Sequence, residues 1–258
     1  SVHHLSRTGT TTARGPPEVT LIWPKVRVDR TEMTVYLGID LGTQGCRVMA
    51  AREDGAVVSS SHRPLEAEVE SLPAGWSEQD VRSWWPCVRG AILSATRRLR
   101  ERIAAVCVDS TSGTVLAVDR RGRPLGNAIM YNDGRAVKEA ALASEAGQHL
   151  EDKLGYRINP SFAVAKLLWL KGNRGTLFES AEKFVHAADY VSGKLVGNWG
   201  YTDHTNALKS CFDLIDYTWP DFLRDLGIPS EKMPEVVPPG RVIGHVTRGA
   251  SRQTGIQE

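Results

Sequence analysis

The 258-residue sequence lacks the features that mark several specialised classes of protein. No uninterrupted apolar segment approaches the roughly 18 residues of a membrane span, so we expect no membrane partner. The formal net charge is +2, which is too close to zero to indicate nucleic acid as the partner. What remains is an ordinary globular composition, long enough for one large domain or two small ones.

The cysteines and histidines also lack the spacing of a metal site. Cys46, Cys87, Cys107 and Cys211 are far apart and form no C-x-x-C pair, which argues against a zinc site and against a disulfide framework. Three of the four lie in apolar runs. We therefore expect buried free thiols in a reducing compartment and no protein-bound metal held by cysteine or histidine.

Residues 1–33 differ in composition from the rest of the chain. The stretch SVHHLSRTGTTTARGPP contains no acidic residue and is rich in serine, threonine and arginine. That composition is typical of the end of an organelle transit peptide. A disordered terminus or added residues would explain it equally well. We expect the folded domain to cover residues 34–258.

The pattern from residue 34 onward predicts an α/β domain. The strand-like runs TVYLGID, CRVMAAR and VVSSSHRPLEA are joined by short turns, one of which contains the hairpin dipeptide Asp-Gly. Ser77, with Asp80 three residues later, resembles a capping box, and apolar residues at helical spacing follow from Trp84. The runs IAAVCVDS and TVLAVD predict two further strands. Because a helix permits a parallel return, we expect a mixed sheet with flanking helices.

The chain after Asn132 is predicted to be mostly helical. One or two helices are expected in DGRAVKEAALASEAGQHLEDKLG, and single helices in SFAVAKLLWLKGN, in AADYVSGKLVG and within DLIDYTWPDFLRDLGIP. The run GRVIGHV is predicted to be a short strand.

A strand that ends in an aspartate and a glycine-rich turn indicates a phosphate site. In VYLGIDLGTQGCR, Asp40 is followed by Gly42, Thr43 and Gly45. The glycines let backbone N–H groups approach an anion. A carboxylate beside phosphates needs a cation between them, so we expect Asp40 to hold Mg²⁺ through water next to a nucleotide. A plain hairpin turn explains the same motif equally well. The added strands and the crossover helix favour a ribonuclease-H-like, actin-like ATPase core.

The chain from Val35 onward resembles the N-terminal domain of the FGGY carbohydrate kinases. The matching stretches follow one another in family order: GIDLGTQGCR, GWSEQD, VDSTSGTVLAVD, PLGNAIMYNDGRA, AKLLWL, AADYVSGKLVG and YTDHTNALKS. WSEQD and YNDGR are similar to the pentulokinase branch rather than to glycerol kinases. Xylulokinases usually carry Gln-x-His-Gly where this chain has Thr111 to Thr114. That version resembles the D-ribulokinases of cyanobacteria and plants.

The resemblance implies a site for Mg²⁺ and ATP at Asp40, Gly42, Thr43 and Gly45, and a sugar pocket further along the chain. The residues that it assigns to the pocket are Ser112, Gly113, Thr114, Tyr131, Asn132 and Asp133. Hydroxyl groups and a glycine suit a polyol, which needs donors and acceptors at close range. An ordinary turn at STSG and a core position for Tyr131 are the structural alternatives.

The resemblance also implies a reaction, which is ATP-dependent phosphorylation of a ketopentose, with D-ribulose favoured over D-xylulose. In the family, an aspartate on the last strand of this domain removes the proton of the sugar hydroxyl, and a second domain holds the adenosine. The sequence ends at Glu258, before both, so we expect an incomplete N-terminal part with no catalytic base of its own. The alternative is an inactive remnant that binds a sugar or a partner. A plant protein with this leader would be expected in the chloroplast, and otherwise in the cytoplasm.

Overall fold

The computed structural model describes residues 33–258, in which short strands and helices alternate. The strands are β1 (Thr34–Gly42), β2 (Gly45–Ala51), β3 (Val57–Pro64), β4 (Glu78–Gln79), β5 (Arg102–Ser110), β6 (Leu116–Val118), β7 (Ala128–Ile129), β8 (Lys183–Val185), β9 (Tyr201–Asp203) and β10 (Glu235–Val237). The helices are α1 (Trp84–Thr96), α2 (Val137–Ala146), α3 (Gln148–Leu154), α4 (Ala163–Asn173), α5 (Gly175–Ser180), α6 (Ala187–Val196), α7 (His204–Lys209), α8 (Asp221–Asp225) and α9 (Arg248–Thr254). The predicted leader lies outside the described residues, apart from Met33.

A four-stranded mixed sheet in the order β3-β2-β1-β5 forms the centre of the fold. Consecutive strands β1, β2 and β3 pair antiparallel, whereas β5 returns through α1 and pairs parallel to β1. The predicted mixed sheet is confirmed. The α/β architecture with flanking helices is that of the ribonuclease-H-like, actin-like ATPase domains.

One face of this sheet carries the first apolar core. Alternate residues of β1, from Val35 to Leu41, are buried against α1, α6 and α9. The apolar stripe of α1 from Trp84 to Ala95 is buried as its spacing predicts. The predicted capping box at Ser77 is wrong. Asp80 instead caps a short 3₁₀ turn before α1 by accepting a hydrogen bond from the backbone N–H of Arg82.

A second apolar cluster lies among the helices from α2 to α5 and α8, with Phe162, Leu167 and Trp169 among its buried members. Of the one or two helices predicted after Asn132, the structure has two, α2 and α3, which meet at Gly147. The predicted strand over GRVIGHV is wrong, since that segment has no regular structure. The run TVLAVD forms only the short β6, which pairs with β8 outside the main sheet.

The opposite face of the main sheet is exposed within the described residues. Cys107 pairs with Gly38 on this face and is exposed, whereas Cys46, Cys87 and Cys211 are buried. The prediction for Cys107 is therefore wrong, because an apolar run was interpreted as buried on both faces. No helix of residues 33–258 combines the length and the apolar character that crossing a membrane requires.

Candidate active site

The glycine-rich motif forms a tight hairpin between β1 and β2. Gly42 pairs with Gly45, and the two residues between them, Thr43 and Gln44, make the turn. The backbone carbonyl of Thr43 accepts a 2.8 Å hydrogen bond from Nε2 of Gln79, a side chain buried at 2% exposure. Gln79 in turn accepts from the indole N–H of Trp84 at 2.9 Å. Two buried side chains of the GWSEQD region thus fix the turn, and the hydroxyl of Thr43 has no partner among the described residues.

Gly42 and Gly45 of the hairpin differ in how much space a side chain would have. A Cβ at Gly45 would stand 2.6 Å from Nε2 of His62 and 2.7 Å from the carbonyl of Arg63, so the close approach of β3 requires glycine there. A Cβ at Gly42 would meet its nearest neighbour at 3.4 Å, which is close to ordinary contact. Packing against β3 alone therefore explains the glycine at position 45. The glycine at position 42 has no such packing reason, which is compatible with its predicted role of letting the backbone approach a phosphate.

Asp40 lies at the carboxyl end of β1 and faces the exposed side of the sheet. Its side chain is 48% exposed and has one ionic neighbour, the guanidinium of Arg47 at 3.4 Å. Asp109 is the register partner of Asp40 on the parallel strand β5 and is also exposed. Sequence reasoning missed Arg47 and Asp109 as neighbours of Asp40. Strand alternation could have found both, because each is the cross-strand partner of Asp40.

The loop between β5 and β6 is anchored at both ends by the start of α6. The hydroxyl oxygen of Ser110 accepts a hydrogen bond from the backbone N–H of Ala188 at 2.9 Å. At the other end, Nδ1 of His186 contacts the carbonyl of Thr114 at 2.9 Å, and its Nε2 contacts the hydroxyl of Ser210 at 3.0 Å. Because a carbonyl can only accept, Nδ1 carries the proton and Nε2 accepts from Ser210.

His186 is neutral in this arrangement. Burial lowers the pKa of its imidazole to about 4, and the contact with the carbonyl of Thr114 offsets this only in part. The neutral ring joins the loop, α6 and the end of α7 by two hydrogen bonds. His186 is one of the histidines that the sequence predicts not to bind metal, and nothing in its spacing predicts this anchoring role.

This loop and the segment after β7 together carry three polar groups that have no partner in the described part of the chain. They are the hydroxyls of Ser112 and Tyr131 and the side-chain amide of Asn132. Tyr131 is 38% exposed, which excludes the alternative of a core position. Thr114 differs, because it is fully buried and its hydroxyl accepts from the backbone N–H of Tyr131 at 3.2 Å. Thr114 therefore holds Tyr131 in place.

The hairpin at residues 42–45 and the loop between β5 and β6 meet in the structure. A cavity of about 10 Å³, room for one water molecule, is lined by Gly42 and Thr43 from the hairpin and by Thr111 and Thr114 from the loop. Three of the sequence-predicted site residues, Gly42, Thr43 and Thr114, thus line one cavity.

Gly113 lies at the centre of the loop with a φ of +85°, which an L-residue rarely adopts. A Cβ there would stand 2.5 Å from the carbonyl oxygen of Ser161 and 3.5 Å from Cβ of Tyr131. The turn before α4 therefore occupies the space that a side chain at position 113 would need. The loop can carry only glycine at this point without rearrangement.

Asp133 is committed to a structural ion pair. Its buried carboxylate accepts from Nε and a terminal nitrogen of Arg135 at 2.8 Å and from the backbone N–H of Ser77 at 2.5 Å. Arg135 also pairs with Glu78 at 2.7 Å. The guanidinium lies 3.7 Å from the ring centre of Trp76 and 4.8 Å from that of Trp169.

The structure therefore assigns Asp133 to the support of the loop, where sequence reasoning expected a sugar contact. With the backbone N–H of Arg135 at 2.9 Å as a fourth donor, this buried carboxylate has a donor for each of its roughly four lone-pair sites. Asn132, its exposed neighbour, keeps its side-chain amide available.

The donor set at the end of β1 fits a hard cation held partly by water. Within residues 33–258, no group of three or more His, Cys, Asp or Glu side chains converges as a complete metal cage. The exposed carboxylates of Asp40 and Asp109 supply the oxygen ligands that Mg²⁺ prefers, and Mg²⁺ usually keeps several waters. The observed donors thus suit Mg²⁺ that arrives with a nucleotide.

Residues 35–258 match the model of the FGGY family of carbohydrate kinases, N-terminal domain. The chain belongs to this family. Its FGGY relatives include the xylulose kinase of Escherichia coli, 27% identical over 225 residues that cover 86% of this chain and 46% of that protein. The glycerol kinase of Petrotoga mobilis is 30% identical over 223 residues, covering 81% of this chain and 44% of that protein.

The fold of this FGGY domain is also that of a solved relative. The ligand-bound xylulose kinase of Lactobacillus acidophilus superimposes with a TM-score of 0.79 at 25% identity, covering 87% of this chain and 46% of that one. The chain spans a little under half the length of the curated relatives that it matches. FGGY carbohydrate kinases are phosphotransferases that act on small-molecule sugars, and the family resemblance inferred from the motifs is confirmed.

Proposed function

We propose that this chain is the N-terminal part of an ATP-dependent kinase that phosphorylates a ketopentose, with D-ribulose preferred over D-xylulose. The observation that carries the proposal is the cavity that Gly42 and Thr43 of the hairpin share with Thr114 of the loop. Thr114 accepts a hydrogen bond from the backbone of Tyr131, and Ser112, Tyr131 and Asn132 carry polar groups without a partner among the described residues. Polar groups that the protein leaves unsatisfied are available to a polyol and to phosphates.

Each group has a defined part in this reaction. Asp40 holds Mg²⁺ through water, and the hydroxyl of Thr43 and the backbone at Gly42 bind the phosphates. When bound, Mg²⁺ neutralises charge that develops on the transferred phosphoryl group. Ser112 and Asn132 hydrogen-bond the sugar hydroxyls while Tyr131 packs against the sugar carbons. The base that takes the proton of the sugar hydroxyl is expected beyond Glu258, and closure by a second domain excludes water.

The preference for D-ribulose is supported by the loop at residues 111–114. Its resemblance to D-ribulokinases rests on the absence of the Gln-x-His-Gly of xylulokinases. The steric conflict at Gly113 with Ser161 agrees with this, because no imidazole fits at that position. At this position the chain therefore has the hydroxyl of Ser112 beside a bare glycine that packs against the carbonyl of Ser161.

The test is a coupled ADP-release assay on the full-length protein with D-ribulose, D-xylulose, glycerol or no sugar. We expect the highest kcat/KM with D-ribulose. Ser112→Ala should lower that value by about 5- to 150-fold, because a lost hydroxyl partner costs about 1–3 kcal/mol. Ser94→Ala, which removes an exposed hydroxyl on α1, is the matched control and should leave kinetics unchanged. Higher kcat/KM on D-xylulose, or an unaffected Ser112→Ala variant, would contradict the assignment.

A further inference from the structure

A buried lysine lies behind the candidate sugar loop. Lys166 on α4 has 0% exposure, and its ammonium donates to the carbonyls of Pro160 at 2.8 Å and Phe162 at 3.4 Å. No carboxylate in the described part of the chain forms an ion pair with it. Burying a charge without an ionic partner is costly. An apolar side chain would fill this helix position at less cost, so packing alone does not explain a lysine here.

The two carbonyls belong to the turn that contacts the sugar loop. Residues 159–162 form this turn, which is closed by a 2.9 Å hydrogen bond from the backbone N–H of Phe162 to the carbonyl of Asn159. The side chain of Asn159 accepts from both the backbone and the hydroxyl of Ser161. Ser161 lies between the two residues that Lys166 holds, and its carbonyl is the atom that faces Gly113.

We propose that Lys166 is a positioning residue of the sugar site. It holds the turn at residues 159–162 against Gly113 and thereby fixes the position of the loop that carries Ser112. The inference rests on the proposed function, because that function makes residues 112–114 the sugar loop. Lys166 acts through the carbonyls of Pro160 and Phe162 and does not touch the substrate. Loss of its ammonium frees the turn to move away from Gly113.

The charge on Lys166 is sensitive to pH because of its surroundings. The charged or titratable groups that face it are Asp133 after β7, Arg135 before α2, Lys209 at the end of α7 and His186 before α6. Burial lowers the pKa of Lys166 to about 7. Asp133 opposes this shift, and Lys209 and Arg135 add to it.

Deprotonation weakens the hold on the turn, because a charge-assisted hydrogen bond is stronger than a neutral one. The neutral amine predominates above the pKa and the ammonium below it. We therefore expect the KM for the sugar to rise as the pH increases through about 7.

The test compares two lysines of the same helix in the full-length protein. Lys166→Met keeps the length of the side chain and removes its donors. Lys171→Met is the matched control, since the exposed Lys171 also donates to a backbone carbonyl, that of Leu226 at 2.7 Å. Lys166→Met should raise the KM for D-ribulose about tenfold, leave the KM for ATP unchanged and flatten the rise of the sugar KM with pH. Lys171→Met should behave as the parent does.

A second measurement needs no catalysis. Amide hydrogen exchange should accelerate in peptides covering residues 110–115 and 158–163 of Lys166→Met, and stay unchanged in Lys171→Met. If exchange accelerates but the parent phosphorylates no pentulose, the proposed function fails while the coupling between Lys166 and Gly113 stands. An unchanged exchange rate, an unchanged sugar KM, or an equal rise of both KM values would overturn the role of Lys166. The fold should survive, because methionine at this buried position avoids the cost of burying an unpaired charge.

Discussion

The contact between Gly113 and Ser161 can be measured as a difference between two glycine substitutions. Gly113 and Gly155 have similar positive φ values, +85° and +73°, so alanine at either one meets the same backbone penalty. That penalty is about 1–2 kcal/mol. A Cβ at Gly155 would have no atom within 4 Å, whereas a Cβ at Gly113 would be 2.5 Å from a backbone oxygen. The overlap at Gly113 adds about 1–3 kcal/mol for forcing an extra methyl group into a packed site.

Thermal denaturation of the 258-residue chain separates these two contributions. With about 2–4 °C lost per kcal/mol in a domain of this size, Gly155→Ala should lower the Tm by about 2–8 °C. Gly113→Ala should lower it by about 4–20 °C. In the full-length protein, Gly113→Ala alone should raise the KM for the sugar, since the turn before α4 has to move. Equal losses of Tm for the two variants would refute the steric reasoning.

Three aspartates give further predictions. Asp40→Asn in the full-length protein should lower kcat at least a hundredfold with an unchanged Tm, because its exposed pair with Arg47 contributes little stability; an active variant would leave the hairpin as a plain turn. Asp133→Asn should lower the free energy of unfolding by about 3–5 kcal/mol in urea denaturation, since it leaves Arg135 buried without its main partner. Its control, Glu182→Gln, breaks an exposed ion pair and should cost less than about 1 kcal/mol. Burial raises the pKa of Asp189 to about 7, so its contribution to stability is complete below pH ~4 and is lost as the pH rises through 7. The free energy of unfolding of Asp189→Asn, relative to the parent, should therefore increase by roughly 1–4 kcal/mol between pH 5 and pH 8, and a constant difference would contradict this.

The sequence predicts the central sheet well because alternation and helical spacing are local signals. The three-strand meander, the crossover by α1 and the burial of its stripe from Trp84 all follow from periods of two and 3.6 residues. The predictions are wrong where contacts between residues far apart in the sequence determine the local structure or the burial of a side chain. Asp80 caps a different turn from the one predicted, and Cys107 is exposed because β5 is covered on one face alone.

The site divides in the same way. The turn at Asp40 and the loop at Ser112 are predicted as short motifs, and the structure brings them together. The role of Asp133 could not be predicted in full, because Arg135 is a local partner two residues away whereas Ser77 is brought to the carboxylate by the tertiary fold. His186 is also missed, since no spacing predicts its contact with the carbonyl of Thr114 far along the chain. Lys166 is missed for another reason: its carbonyl partners are near in sequence, but a lysine is rarely expected to be fully buried.

The guanidinium of Arg135, held between two indole rings and two carboxylates, ties GWSEQD and YNDGR into one physical unit although more than fifty residues separate them. This has a consequence for chimaeras between sugar kinases. A crossover placed between Trp76 and Arg135 would combine part of this unit with the corresponding part of another protein. The buried guanidinium of Arg135 would then lose some of its partners. Segment exchange should succeed when both motifs travel together, so the natural exchange block for altering the sugar loop runs from Gly75 through Trp169.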